Sequence, residues 1–222
     1  FFHSINILAN DDPFEDLNRK IWTFNEFLDD NFAKPTAEIY RSVTPNFIEV
    51  GMTNFFRNVN ELDNTANQLL QGKPGFAAND FGRFLINTSI GLLGFIDVAS
   101  KMGLKRHDED FGQTLGYWGV PQGPYLVLPF FGSSSFRDAP GLYADRQISP
   151  VEQLHNKEEL ALDALSVIDI RARLLRATKI LDTAAKDKYI FIRESYLQKR
   201  ESMINDGESE EDFEIDVIGV DY

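Results

Sequence analysis

Apolar residues recur at helical spacing along almost the whole chain. Phe14, Leu17, Ile21, Phe24 and Leu28 follow one another at alternating steps of three and four, the period of a helix with one apolar face. Asp12-Pro13-Phe14-Glu15 opens this element. Asp12 suits the N-cap, Pro13 the first helical position, and Glu15 the place where a capping box puts its carboxylate. Pro35 breaks the pattern near its end or begins the next element. Thr44-Pro45 repeats the start signal, and Ile48, Met52, Phe55, Val59 and Leu62 predict a second long helix. Leu69, Leu70, Gly72 and Pro74 stop it, because glycine ends a helix and proline cannot continue one. A further helix starts at Phe76 and runs through Phe81, Phe84 and Leu85 toward Val98. Helix returns after Pro150. Leu160 to Leu181 is rich in Leu, Ala and Ile, and Asp187 to Ile204 is a last amphipathic helix carrying Tyr189, Ile192, Arg193, Tyr196 and Leu197. The fold class expected is all-α, with one helical domain over residues 12–205 and no internal repeat.

The stretch from Glu109 to Gly141 departs from this pattern. It holds six Gly and four Pro in 33 residues, interleaved with Phe111, Tyr117, Trp118, Tyr125, Phe130, Phe131 and Phe136. Glycine permits positive φ and proline removes a donor, so regular helix is not expected there. A short strand is expected at Tyr125–Leu128. A loop this long inside a domain is usually functional.

Charge changes the picture at one end only. The formal net charge is −13. Residues 206–222 hold eight acids and no base, leaving 27 acids against 22 bases elsewhere. The body is therefore mildly acidic, and residues 206–222 read as a solvated, disordered tail. This balance argues against nucleic acid, where cationic contacts to phosphate dominate affinity. It argues equally against simple electrostatic adsorption to anionic lipid. There are no cysteines, which excludes disulfides and thiolate sites. The first ten residues lack the charged start and apolar run of a complete signal peptide, so the chain reads as a mature or trimmed form with a flexible lead over residues 1–11. The 19 Phe are a heavy load. They must face a core, a partner or a bilayer.

No catalytic set emerges. His3, His107 and His155 lack helical ligand spacing. His107-Asp108-Glu109-Asp110 could bind a divalent cation, although a solvated acidic turn is the plainer reading. Gly132-Ser133-Ser134-Ser135-Phe136 lacks the second glycine of a nucleophile elbow and reads as a polar turn. Gly112, Gly116, Gly119 and Gly123 are followed by no Lys-Ser/Thr and fit neither phosphate-binding fingerprint. We expect no catalytic residue, metal or cofactor. The most apolar run, Phe84 to Ala99, is interrupted by Asn87, Thr88, Ser89 and Asp97, and is too short and too polar for a span. From Leu85 to Ile96 it is apolar around most of a helix, which suits either a core or a membrane. Its membrane-embedded candidates are Phe84, Leu85, Ile86, Ile90, Leu92, Leu93, Phe95 and Ile96.

Five ordered blocks resemble the MlaA family, also called VacJ lipoproteins. They are Asp12-Pro13-Phe14-Glu15-Asp16-Leu17-Asn18-Arg19; Asn54-Phe55-Phe56-Arg57-Asn58 with Asn67-Gln68-Leu69-Leu70-Gln71-Gly72; Arg83-Phe84-Leu85-Ile86-Asn87-Thr88 with Gly94-Phe95-Ile96-Asp97-Val98-Ala99; Asp110-Phe111-Gly112-Gln113-Thr114-Leu115-Gly116 through Gly123-Pro124-Tyr125 to Leu128-Pro129-Phe130-Phe131-Gly132; and Arg193-Glu194-Ser195-Tyr196. The resemblance implies a mostly helical ring embedded in one leaflet of the Gram-negative outer membrane, on its periplasmic face. It implies a non-enzymatic role in lipid asymmetry, in which misplaced outer-leaflet phospholipid passes through an amphipathic channel to a periplasmic carrier like MlaC. It also implies association with porin trimers of the OmpC/OmpF kind. Family members are commonly acylated at an N-terminal Cys, which this sequence lacks. The channel or gating candidates it suggests are Phe111, Gly112, Gly116, Gly119, Gly123, Pro124, Tyr125, Asn54 and Phe55. The alternative is an envelope scaffold that binds porins without moving lipid.

Overall fold

The computed structural model describes residues 12–149 and 156–205. The expected lead over residues 1–11 and tail over residues 206–222 lie outside the described residues. The chain is helical nearly throughout: α1 (Glu15–Leu28), a π-helical turn (Asp29–Ala33), α2 (Lys34–Val43), α3 (Asn46–Leu70), α4 (Pro74–Ser89), α5 (Val98–Lys101), α6 (Phe111–Tyr117), the hairpin β1 (Tyr125–Leu128) and β2 (Gly132–Ser135), then α7 (Asp138–Ile148), α8 (Asn156–Ala184) and α9 (Lys188–Ile204). The all-α expectation holds, with one small antiparallel sheet.

Local signals explain most boundaries. Pro35 and Pro74 fall in the first turns of α2 and α4, where no N–H is required. Gly72, at φ +73°, closes α3. Asp110 and Asp187 cap α6 and α9 by accepting from the N–H of Gln113 and Ile190. The expected start at Asp12 is displaced, since α1 begins at Glu15. Asp12 still accepts from the Phe14 N–H at 3.0 Å.

Regular helix does form inside the Glu109–Gly141 stretch where none is expected, as α6, because Asp110 caps Phe111–Tyr117. Two further expectations fail. The helix expected to reach Val98 ends at Ser89. Beyond it Leu92, Leu93 and Gly94 all take positive φ, and the Gly94 N–H returns to the Asn87 carbonyl at 2.8 Å. The glycine allows the chain to reverse there, which no apolar periodicity can report. Second, Gly132–Ser135 is not a free polar turn but strand β2, with Tyr125 opposite Ser135 and Leu128 opposite Gly132.

The hairpin anchors a conventional core. Tyr125, Val127 and Tyr189 are buried, with Ile21, Trp22, Tyr196 and Leu197 around them. The Tyr189 ring meets Trp22 and Tyr125 edge-on at 6.0 and 6.1 Å, the geometry that the ring quadrupoles favour. The open edge of β1 is closed by α1. Asn18 donates to the Tyr125 carbonyl at 3.0 Å and accepts from the Val127 N–H at 2.9 Å. Two turns later Asn25 does the same for the Leu128 carbonyl and the Phe130 N–H, both at 2.9 Å. Each amide stands in for a neighbouring strand, so the edge leaves no orphan backbone groups there.

The remaining helices pair off. α3 lies along α4, α2 along α8, and α6 against α7 and α9. Arg171 of α8 forks onto Asp29 in the π-helical turn at 2.6 and 2.8 Å.

Candidate functional site

The polarity of the structure is inverted. Among the described residues, twenty polar or charged side chains are buried against seven hydrophobic ones, four of which are alanines. Protein folds surrounded by water bury Ile, Leu, Val and Phe first. Here Phe27, Phe32, Phe47, Phe76, Phe81 and Leu85 are exposed.

The inversion is sharpest between α3 and α4. The apolar stripe Ile48, Met52, Phe55, Val59 and Leu62 is only half-buried, while Asn58, Glu61, Asn64, Asn67 and Gln68 fill the interior face. From α4, Ala77, Asp80, Arg83 and Asn87 meet them. Arg83 and Glu61 pair at 2.7 Å with side chains 2% and 1% exposed. Arg83 also donates to Ser100, to the Leu104 carbonyl and to Asp97. Burial works against the Arg83 charge, yet Glu61 and Asp97 keep its pKa above the ordinary value. Burial likewise opposes the Asp97 charge, but Ser100, Arg83 and Asn87 hold its pKa down to about 2. The seam continues toward α6 and α7. Gln68 and Gln71 donate to Glu109 at 3.1 and 2.7 Å, Thr114 to Asn67 at 2.8 Å, and Asn67 to Asp145 at 3.2 Å.

A second polar node ties α9 to this region. Arg200 reaches Asp138 at 3.1 Å and Asp110 at 2.8 Å, and Tyr196 donates to Asp138 at 2.6 Å. Burial raises the Asp138 carboxyl, but Arg137, Arg200 and Tyr196 together hold it below the ordinary range.

Beside the seam lies a cleft of about 250 Å³, lined by Asn60, Asp63 and Asn64 of α3, Arg106, Asp108, Glu109 and Asp110 of the connecting loop, Gln113 of α6, Asp145 of α7 and Met203 of α9. Burial, reinforced by Asp145, pushes the Asp63 carboxyl up to about 7. Burial and Asp110 push Asp145 up to about 6, against the hydrogen bonds from the Phe111 N–H and Asn67.

The sequence candidates scatter over this architecture. Of the membrane candidates, Leu85, Ile90, Leu92, Leu93 and Ile96 are exposed, while Phe84 and Ile86 are half-buried. Phe95 turns inward over α3, where a Cβ on Gly51 would come within 2.1 Å of its ring. Among the channel candidates, Gly112 and Gly116 pack inside α6. A Cβ there would meet Asp138 at 2.6 Å and Ile204 at 2.7 Å respectively. Gly119 and Gly123 sit at positive φ in the connection to β1. Pro124 accepts from the Phe136 N–H, Tyr125 is core, and Phe111 meets Trp118 edge-on at 6.1 Å. Asn54 donates to the Phe95 carbonyl, and Phe55 stacks edge-on with Phe56.

None of the channel candidates lines the cleft. Of its lining, Asp108, Glu109 and Asp110 read from sequence only as an acidic turn, and Asn60, Asp63, Asn64 and Gln113 carry no signal because such residues on a helix normally mark a solvated face. Residues 107–110 are not a solvated turn. No group of three His, Cys, Asp or Glu fit for a metal occurs among the described residues. His107 binds Asp80 at 2.7 Å, which raises its pKa, Asp108 pairs with Arg106, Glu109 with Gln68, and Asp110 with Arg200.

Fold and site thus define an all-α protein with a polar seam inside and apolar side chains outside. The MlaA lipoprotein family model matches residues 10–203, and the chain belongs to that family. It is 37% identical over 201 residues to the intermembrane phospholipid transport system lipoprotein MlaA of Escherichia coli (strain K12), covering 89% of this chain and 80% of that protein. It is 35% identical over 220 residues to the protein of the same name from Haemophilus influenzae, covering 96% and 88%. A solved structure described as the structural basis for maintenance of bacterial outer membrane lipid asymmetry superposes with a TM-score of 0.78 at 34% identity, covering 88% of this chain and 100% of that one.

Proposed function

We propose that this chain is the outer-membrane component of a phospholipid transport system that keeps lipid asymmetry. It passes mislocalised outer-leaflet phospholipid through an amphipathic channel to a periplasmic carrier of the MlaC kind, and no bond is made or broken. The inverted polarity carries this reading. A lipid surround satisfies exposed Phe, Leu and Ile side chains, each gaining about 1.5–3 kcal/mol by leaving water, while head groups need the polar interior. Among the described residues no helix is long and apolar enough to cross a membrane. The apolar helix sides and the Ile90–Ile96 turn therefore sit in one leaflet, with residues 12–205 acting as a single unit on the periplasmic face. Leu92, Leu93 and Phe130 support this, since each holds a left-handed backbone with its side chain exposed. That conformation costs about 1–2 kcal/mol per residue, which contact with lipid offsets. Gly119 and Gly123, at positive φ between α6 and β1, provide the bends at which a channel wall moves. A porin trimer of the OmpC/OmpF kind holds the assembly at the right depth.

The test is lipid mass spectrometry on the detergent-purified chain, followed by a leaflet-transfer assay in vesicles. Bound phospholipid and accelerated transfer are expected. Absence of both favours a porin-bound scaffold, and released fatty acid favours a hydrolase.

A further inference from the structure

Charge is distributed unevenly over the body. Residues 71–106, from the end of α3 to the loop before α6, carry five bases and only two acids in a chain of net charge −13. Both acids have internal partners. Asp80 is buried against His107 at 2.7 Å, and Asp97 is held by Arg83, Ser100 and Asn87. Two of the bases turn inward as well, Arg83 in the seam and Arg106 beside Asp108. Lys101 and Lys105 stay exposed, and the Lys73 ammonium lies 4.8 Å from the centre of the Tyr117 ring. The acids that follow, Asp108 and Glu109, are engaged by Arg106 and by Gln68 and Gln71. The outward charge of this segment is therefore positive, although the whole chain is acidic.

The lysines sit among apolar side chains. Met102, between Lys101 and Lys105 in the chain, is 63% exposed. Phe76, Tyr117 and Trp118 are exposed around Lys73, and the Trp118 indole N–H donates to the Leu70 carbonyl at 3.1 Å, which fixes the ring at the end of α3. The loop runs back along α4. Arg83 donates to Ser100 and to the Leu104 carbonyl, and Asn79 to the Lys105 carbonyl. Lys101 and Lys105 thus stand level with residues 79–83 of α4. At about 1.5 Å per residue, the exposed turn that begins at Ile90 lies about 10 Å further along the helix than Arg83. Half the hydrocarbon core of a bilayer is about 15 Å.

Lysine and ringed side chains at one level, with leucine and isoleucine a short step beyond, is the order that a membrane interface imposes. Amphipathic rings settle at the headgroups, and long amines reach up to the phosphates. An acidic protein partner would pair the lysines but leave Met102, Phe76 and the turn in water. We propose that Lys73, Lys101 and Lys105, with Tyr117 and Trp118, form a rim that binds the phosphates of anionic phospholipid at headgroup level, with the Ile90–Ile96 turn in the hydrocarbon beneath. This rests on the one-leaflet placement above. It adds the lipid charge that the surface selects and the end of α4 that points into the bilayer.

The experiment measures retention of the full chain on phosphatidylcholine vesicles with and without phosphatidylglycerol. Tighter retention with phosphatidylglycerol is expected, falling with added salt. The triple change Lys73→Gln, Lys101→Gln and Lys105→Gln should weaken that gain about fivefold per lysine, on the order of a hundredfold in all, and leave retention on phosphatidylcholine unchanged. Lys157→Gln, Lys179→Gln and Lys186→Gln together remove the same charge from exposed positions on and just after α8 and should leave the gain in place. An equal loss from both triple variants assigns the effect to total charge and overturns the rim, as does equal retention of the parent on the two vesicles. Retention on neither overturns the one-leaflet placement and this inference with it. Depth is read separately. The chain has two Trp, so Trp22→Phe leaves Trp118 as the only indole. A quencher at headgroup level should dim it more than one near the bilayer centre, and the reverse order overturns the proposed level of the rim while leaving the one-leaflet placement intact.

Discussion

The β-hairpin core and the α3–α4 seam are built on opposite rules. Around Tyr125, Val127 and Tyr189, apolar rings pack together, and polar amides serve only to close a strand edge. Between α3 and α4, a buried Arg, Glu and a row of Asn and Gln make up the interior, and the apolar side chains are left outside. The first arrangement draws its stability from removing apolar area from water. The second draws little from burial. It holds because Arg83 pairs with Glu61 and Asp97, and Asp80 binds His107, and because its outer surface suits a medium less polar than water. A polar interior is unforgiving, since an unpaired charge there costs far more than a lost methyl group.

The largest break in this comparison comes from removing one charge of the seam. Arg83→Met leaves Glu61 buried and unpaired, and should destabilise the chain by about 3–5 kcal/mol in denaturant or thermal unfolding in detergent. The double change Glu61→Leu with Arg83→Met should recover most of that loss. If the double variant is as unstable as the single one, shape rather than charge pairing holds the seam.

The hairpin should respond to the loss of its edge amide by a smaller amount. Asn18→Ala strands two buried backbone groups, and an effect of about 2–3 kcal/mol is expected. Hydrogen exchange should show the Val127 N–H losing protection ahead of α3. Unchanged protection at Val127 means that water replaces Asn18 there.

The cleft sharpens the contrast through pH. Asp63, pushed up to about 7, and Asp145, pushed up to about 6, hold protons in the folded chain that they release when unfolded. The folded state therefore binds more protons between about pH 4, the ordinary carboxyl value, and about pH 7. Stability should fall as pH rises through that window. Asp63→Asn should flatten the part of the slope above about pH 6. A melting temperature that rises with pH there contradicts the raised values.

The smallest effect on stability is expected at the exposed turn. Leu92→Gly relieves a left-handed backbone and should gain about 1 kcal/mol in detergent. The same change should weaken retention on vesicles, because one apolar side chain no longer leaves water. Retention equal to the parent places Leu92 outside the bilayer.

Most helix boundaries were legible in the chain because their signals are local. Pro35, Pro74 and Gly72 act on their own backbone, and their effect needs no neighbour. The strand at Tyr125–Leu128 was legible for the same reason. Its partner was not, since the serines of β2 carry little strand preference and are ordered only by pairing with β1. The reversal at Leu92–Gly94 was missed because Leu reads as helix, and left-handed backbone is imposed there from outside. The cleft was invisible for a different reason. Its residues come from α3, a loop, α6, α7 and α9, and no single segment displays the pattern.

The deeper limit concerns direction. Periodicity along α3 defines two faces, one apolar and one polar, and does so unambiguously. It carries no information on which face points inward, because that depends on the medium outside the protein. Read with water as the implied solvent, Ile48, Met52, Phe55, Val59 and Leu62 face a core. In the folded chain Asn58, Glu61, Asn64 and Gln68 take that place, since Thr88, Arg83 and the 104–110 loop arrive to bond them. Helix positions and amphipathic axes belong to the linear chain, as products of short-range sterics and spacing. The sign of each axis belongs to the tertiary structure, because only there does a buried polar group meet the partner that makes its burial tolerable.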